Sequence, residues 1–449
     1  MVDFLAYSEQ YAKDTSAACT NCGKCAAVCP VVRESPLAEI ASEKLTQGLI
    51  ELSVSGTTHS GTHEWLNICN SSGLCNDVCP EGLNIRSWIT SLKTLESVRN
   101  IPEKERKKSA GEKFRALSQA VRLLASMQLP PELIHKIHDT GERPEVDVVF
   151  YTGCNVLRTP HIVMNAMGIL DRIGIEYDVM GGASHCCGVT QHRSGDVRSY
   201  ERVAGRTSAA FTASKAKDVI AWCPTCLIQF NENWSNFENP DYSVSHITRF
   251  LHKHLDRLSQ AFVEKPKRRI VIQEHVGIQD VVEHVNGILG AIPFIEIVQV
   301  PQNRQFGYVC GGMVPQHHQT QENNYKLLLD GAQKAGVDYV VTVYHSCQRA
   351  LSGASVSYPF KVVNFTDILA YALELPAYVD VYGELAKVEN LEAVIGSVHS
   401  FLKINGVQLT HDQIELIAQQ MFGEPGFFGS QDDFVAKMSS YEATDNIDS

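Results

Sequence analysis

The sequence predicts a mixed class, α+β and α/β: a small helical domain dense in cysteine, followed by two similar α/β halves and a helical tail. Three observations carry this. From Val146 onward, apolar strand-like runs alternate with helical stretches. That alternation recurs at an offset of about 120 residues, which marks an internal repeat. Seven of the fourteen cysteines fall before residue 80, between helix-forming segments and outside the alternation. At 449 residues the chain is too long for one core. The expected units are 1–100, a helical linker over 101–145, half-domains over 146–265 and 266–372, and an extension over 373–449.

Residues 1 to 18 have helical character and lead into CTNCGKCAAVCP. Cys19, Cys22, Cys25 and Cys29 stand at C-x2-C-x2-C-x3-C-P spacing, the bacterial ferredoxin run, in which three thiolates wrap one cluster and the fourth reaches another. ICNSSGLCNDVCPEGLNI supplies Cys69, Cys75 and Cys79, with Ser72 where a further ligand cysteine would fall. With the crossover usual in such domains, Cys19, Cys22, Cys25 and Cys79 hold a first [4Fe-4S] cluster, and Cys29, Cys69 and Cys75 a second. A structural zinc site is the alternative to the first. The string C-x5-C-x3-C-P-E-G-L-N resembles the three-iron motif of succinate dehydrogenase and fumarate reductase iron–sulfur subunits. That resemblance implies a [3Fe-4S] cluster. A [4Fe-4S] cluster with Ser72 or water on its fourth iron, or no cluster, stays open. Two adjacent clusters make the domain a wire.

The linker carries the charge run EKERKKSAGEKFR, read as a solvated helix face, and then prolines. DVVFYTGC is a buried strand, TPHIVMNAMGILDRIG a helix and IEYDVMGG a strand followed by SHCCGV. A helix over 197–216 then leads to DVIAWCPTC. Such alternation predicts a parallel sheet whose carboxyl-end loops carry the site. Cys154, Cys186, Cys187, Cys223 and Cys226 all fall at those ends. Soft thiolates gathered this way suit zinc or iron–sulfur clusters, and five exceed a zinc tetrahedron. His185 and His192 flank the thiol pair and are candidate proton donors, since imidazole titrates near neutral pH. Hydrogen bonding to the site's sulfurs, or no role, is the alternative.

The spacing Cys154-x31-Cys186-Cys187-x35-Cys223-x2-Cys226 closely resembles the cysteine-rich CCG domain of the B-type component of heterodisulfide reductase and its relatives, among them iron–sulfur subunits of glycolate oxidase and anaerobic glycerol-3-phosphate dehydrogenase. The order of domains resembles a fusion of the C-type and B-type components of heterodisulfide reductase over about residues 15 to 370. The resemblance implies that those five cysteines hold a noncubane [4Fe-4S] cluster and form the catalytic site. The second copy departs from the family pattern. It keeps Cys310 and Cys347, but Val309 and Tyr344 occupy two cysteine places and His275-Val276 a third. A second noncubane cluster is therefore not expected. His275, His317, His318 and His345 leave a mixed Cys/His metal site, or a role as proton donors or substrate contacts, open at an uncertain second site.

The extension contains LEAVIGSVHSFLKI and THDQIELIAQQMF, helices with apolar faces and a start signal at Thr410 or Asp412. It serves either to dock a partner or to cover the core. The net charge of −12 argues against nucleic-acid binding. The N-terminus lacks the pattern of a secretory signal, and no apolar run is long enough to span a bilayer. So many cysteines without an export signal imply a reducing, cytoplasmic setting, with peripheral attachment to the inner face of a membrane through partners left open.

No G-x-G-x-x-G follows a strand, so a flavin-bearing partner is implied, either heterodisulfide reductase A-like or a flavin dehydrogenase. A ferredoxin-type or membrane quinone-reactive subunit is a further partner. Two activities follow from the resemblance. In one, electrons pass the two ferredoxin-type clusters to the five-thiol site, where a disulfide is reduced or thiols are oxidised. In the other, the chain is a non-catalytic relay from a flavin dehydrogenase to a quinone.

Overall fold

A computed structural model describes residues 3–274, 278–302, 318–388 and 390–422. The places assigned to His275, Val276, Val309, Cys310 and His317 lie outside these residues, as does the side chain of His318.

Two four-stranded sheets form the body. β1 (Val148–Gly153), β2 (Tyr177–Gly181), β3 (Asp218–Ala221) and β4 (Ser243–His246) are ordered β2-β1-β3-β4, and every pairing is parallel. β5 (Arg268–Ile272), β6 (Ile295–Ile297), β7 (Tyr339–Thr342) and β8 (Lys361–Asn364) repeat that order as β6-β5-β7-β8, again all parallel. β1 is buried along its whole length, as strands covered on both faces by helices must be.

The repeat read in the sequence is thus a repeat of topology. Register sets Val148 opposite Asp218 in one sheet and Ile270 opposite Tyr339 in the other. One core joins the halves: Phe150, Val156, Leu157, Ile169 and Trp222 of the first pack with Val285, Leu289, Tyr344, Cys347 and Phe365 of the second. Trp222 and Phe365 stack with centroids 5.6 Å apart.

The N-terminal domain is helical. Its segments include Phe4–Ala18, Ser42–Ser55, Ser60–Ile68 and Ile85–Asn100, around a core of Leu45, Leu49, Trp65, Trp88 and Leu92. Asp3 caps the first helix by accepting from the Ala6 amide at 2.8 Å, and Asn84 caps the last by accepting from Ser87 at 3.0 Å.

Helices Glu103–Ser126 and Pro131–His138 follow. The first carries EKERKK near its start and buries Leu123 and Leu124 near its end. Against these pack Val394, Val398, Leu402 and Ile414 of the C-terminal helices Leu391–Ile404 and His411–Phe422. The apolar faces of the extension are therefore covered from within the chain. Thr410 starts the last helix: it accepts from the Gln413 amide at 3.3 Å and its own amide donates to Gln413 Oε1 at 3.0 Å. Among the described residues, no helix is long and apolar enough to cross a membrane.

Candidate metal centres at the strand ends

Where the order β2-β1-β3 reverses direction, the carboxyl ends of three strands open onto one place, the usual site for ligands in such sheets. Cys154 follows β1, Cys186 and Cys187 follow β2, and Cys223 and Cys226 follow β3. Their thiols form a chain of contacts, Cys154 to Cys186, Cys186 to Cys187, Cys187 to Cys226 and Cys226 to Cys223. All but Cys154 are buried.

Local backbone chemistry sets this up. Gly153 takes φ +69°, and a Cβ there would lie 3.1 Å from Cys226 Sγ and 3.2 Å from Cys223 Cβ. Only glycine lets β1 come this close to the β3 loop. Gly188, at φ +76°, donates its amide to Cys186 Sγ at 3.4 Å.

Cys223 is the N-cap of helix Pro224–Ile228. Hydrogen bonds from the Cys226 thiol and from the amides of Cys226 and Thr225 push its own thiol down to about 7. Contacts with Cys154 and Cys187 likewise hold Cys186 well below the usual thiol range, which favours the thiolate a metal needs. Among the described residues, no three His, Cys, Asp or Glu side chains converge as on a single metal ion. A string of sulfurs, rather than a tetrahedron, suits a multi-iron group.

Helix Pro224–Ile228 continues as a π-helical turn, Gln229–Trp234, of the kind found at functional sites. Gln229 Oε1 lies 3.0 Å from His192 Nδ1. His192 is fully buried, stacked on Tyr200 at 4.5 Å with Phe4 edge-on at 5.2 Å, and burial pushes it down to about 4. It is neutral near pH 7. His185 Nε2 lies 2.9 Å from Arg143 Nη2 and 2.7 Å from the Asp139 carbonyl, while its Nδ1 is buried with no partner. Burial lowers its pKa too. Arg143 is itself held by Asp178 at 3.1 Å. Tyr151, buried among the thiols, donates to the His185 carbonyl at 2.8 Å.

The seven N-terminal cysteines separate into two groups. Cys19 senses the charges of Cys22 and Cys79, and Cys25 those of Cys19 and Cys22. Cys29 senses Cys69, and Cys75 senses Cys69 and Cys29, all with thiols raised chiefly by burial. Cys75 also senses Cys25, so the two groups adjoin. Trp65 Nε1 donates to Cys29 Sγ at 3.3 Å, and Cys25 Sγ lies 3.5 Å from Thr46 Oγ1.

The two loops share one backbone. Asn21 and Ser71 take φ of +54° and +60°, and Gly23 and Gly73 take +71° and +83°. Ser72 therefore stands where Cys22 stands in the other loop, and it is buried.

The second group faces the strand-end site. Arg86, whose charge reaches Cys75, is paired with Glu232 on the π-helical turn. Its Nε donates to Glu232 Oε2 at 3.0 Å, and Asn84 Nδ2 donates to the same oxygen at 3.0 Å. Lys93, on the same helix, senses Cys69, and Thr94 Oγ1 donates to the His192 carbonyl at 3.4 Å. One helix, Ile85–Asn100, thus touches both sites. Arg86, Gln229 and Glu232 escaped sequence reasoning because no local pattern ties a helix at 86 to a turn at 232.

Residues 15–83 match the model of a 4Fe-4S dicluster domain and residues 148–231 that of a cysteine-rich domain. The chain thus carries a 4Fe-4S dicluster domain followed by a CCG cysteine-rich domain, and the proteins it is similar to include heterodisulfide reductase subunits. It is 25% identical over 341 residues to one subunit of the fumarate reductase (CoM/CoB) of Methanothermobacter marburgensis, covering 74% of this chain and 66% of that protein. It is 26% identical over 262 residues to one subunit of the dihydromethanophenazine:CoB–CoM heterodisulfide reductase of Methanosarcina acetivorans, covering 54% of this chain and 61% of the relative. An EtfAB:quinone oxidoreductase of Syntrophomonas wolfei is 21% identical over 193 residues, or 40% of this chain and 26% of that one. The chain thus spans less than two thirds of the length of these relatives.

In the second half, Tyr344 caps helix His345–Leu351 as Cys223 caps Pro224–Ile228, and Cys347 takes the place of Cys226. Cys347 is fully buried in the apolar core that joins the halves.

Proposed function

We propose that the chain is the iron–sulfur electron-transfer subunit of a heterodisulfide reductase-like complex, passing electrons from its dicluster domain to a disulfide, or from thiols in reverse, at the Cys154–Cys226 site. The mutual contact of five thiols at the switch point of one sheet supports this best. In this reading Cys19, Cys22, Cys25 and Cys79 hold a [4Fe-4S] cluster, and Cys29, Cys69 and Cys75 a second cluster, of [3Fe-4S] or [4Fe-4S] type with Ser72 at the open corner. The five thiols at the strand ends hold a noncubane [4Fe-4S] cluster. When bound, such groups supply one-electron redox chemistry and an electrophilic iron.

The chain's own residues do the rest. Tyr151 and Tyr200 wall the site and keep water from the sulfurs. His185 Nε2 faces both Arg143, which can only donate, and the Asp139 carbonyl, which can only accept; together they fix the ring beside the thiols and leave Nδ1 as the ring nitrogen open to exchange a proton with a sulfur. His192, neutral and clamped by Gln229, positions the loop after Cys187. Helix Ile85–Asn100 brings the second cysteine group of the dicluster domain against the site, so that electrons have a short path. A flavoprotein partner would load the first.

The likeness to an EtfAB:quinone oxidoreductase favours a second reading, a relay from a flavin dehydrogenase to a quinone. To separate them, anaerobically purified protein is reduced with a dye and offered coenzyme M–coenzyme B disulfide and other small disulfides. Thiol release supports the first reading. Its absence, with quinone reduction in the presence of a flavoprotein, establishes the second.

A further inference from the structure

The two cysteine loops of the N-terminal domain share a backbone but not their surroundings. At the left-handed glycine of the first loop, Gly23, an added Cβ would lie 3.1 Å from the carboxyl carbon of Glu43; at its counterpart Gly73 it would lie 2.6 Å from Arg86 Nη1. An acid thus lies against one loop and a guanidinium against the other. Arg86 also donates to the Ser71 carbonyl at 3.4 Å, which ties its charge to the loop that carries Ser72 and Cys75.

The wider surroundings repeat this contrast. Beyond the other thiols, Glu81 is the charge that acts most on Cys19, whereas Arg86 is the one that acts most on Cys75. Lys93, about two turns further along the same helix, senses Cys69 and stands near Arg193 and Glu96. The acids on this side are engaged: Glu232 pairs with Arg86 and Glu96 with His63. Glu43 and Glu81 are exposed, where water and salt screen them, while Arg86 is buried and Lys93 half-buried, where screening is weaker. Cys22 of the first group is exposed and Cys29 of the second is buried, so the first group is the outer one and the second the inner one.

We propose that this charge asymmetry orders the reduction potentials of the dicluster domain: Arg86 and Lys93 raise the potential at Cys29, Cys69 and Cys75 above that at Cys19, Cys22, Cys25 and Cys79, so that electrons run inward, towards the strand-end site. The proposal rests on the reading that these seven thiols hold two clusters. An added electron makes a cluster more negative, so a neighbouring cation favours the reduced form and a neighbouring acid disfavours it. Burial by itself works the other way, since water also favours the more negative state, and the cations therefore carry the difference. In each transfer the outer cluster loses one electron and the inner one gains it, with no bond or proton exchanged. Arg86 and Lys93 are positioning residues for the electron and ligate nothing.

The test is a redox titration of the cluster-loaded protein followed by EPR, the outer signal being the one that Cys22→Ser alters. The inner midpoint should lie above the outer. Lys93→Gln should lower the inner midpoint by about 59 mV, a tenfold change in the reduced-to-oxidised ratio of a one-electron couple, and leave the outer one in place; Lys93→Arg should restore it. Glu232→Gln, which frees the charge of Arg86, should move the inner midpoint up, and Glu43→Gln should move only the outer one up. An inner midpoint below the outer, or one that Lys93→Gln and Glu232→Gln leave unmoved, overturns the proposal while the dicluster reading stands. A titration that resolves a single cluster in this domain overturns both.

Discussion

Replacing Gly153 with alanine tests the claim that the five thiols share one site. The residue sits at φ +69°, where any side chain costs about 1–2 kcal/mol. The new methyl would lie 3.1 Å from Cys226 Sγ and 3.2 Å from Cys223 Cβ, inside the ~3.5–4.0 Å of ordinary contact. Neither neighbour is the loose end of a flexible chain, since Cys223 caps a helix and both are buried. Relief requires the Cys223–Cys226 turn to shift by a few tenths of an ångström, and overpacking of this kind adds ~1–3 kcal/mol.

The sum is smaller than the ~5–15 kcal/mol by which a domain is stable, so the chain should fold. The site should still lose its group. Gly174→Ala is the control: it has φ +68° and nothing within 4 Å of the added atom, so it carries the backbone cost alone. Iron and acid-labile sulfide per chain, EPR and circular dichroism are measured for both. Gly153→Ala should keep its helix content and its dicluster signals while losing the complement of one cluster. If it retains the iron of the Gly174→Ala control, the thiols are not held together by this close approach, and the reasoning fails.

Ser72→Cys restores the position matched by Cys22, and we expect any oxidised three-iron EPR signal to give way to a four-iron one with higher iron content; an unchanged spectrum would show that Ser72 does not border the second cluster. For His192, whose folded pKa is depressed to about 4 from 6.5, burial adds stability above pH 6.5 that is lost as pH falls toward 4. Wild-type protein should therefore lose roughly 3 kcal/mol more than His192→Gln between those limits in denaturant melts; parallel pH profiles would contradict this. Glu232→Ala strands Arg86, largely buried, between the two metal sites and should cost about 2–4 kcal/mol and slow reoxidation of the dicluster centres by a disulfide. Leu402→Ala should cost about 2–5 kcal/mol and expose helix Glu103–Ser126 to hydrogen exchange; protection unchanged there would mean that the C-terminal helices do not cover it.

Periodicity and cysteine spacing made much of this molecule readable in one dimension. A strand such as DVVFYTGC declares itself because a parallel strand covered on both faces must be apolar throughout, and the same pattern repeated at RRIVI foretold a second sheet of matching order. The ferredoxin run and the five-cysteine spacing are similarly local: each thiol is set at the end of a strand or the start of a helix by its immediate neighbours. What no spacing could reveal are partnerships across the chain. Glu232 finds Arg86 146 residues away, and Gln229 finds His192 only because the segments that carry them leave the two strands flanking β1. Side-chain burial is likewise decided in three dimensions: a histidine beside a thiol pair reads as a proton donor, yet packing around His192 holds it neutral. Sequence by itself determined the strands, the repeat and which cysteines stand at strand ends. Tertiary structure alone decided which charged and polar groups are buried and which partner each one meets, because desolvation and pairing depend on what the folded chain brings alongside.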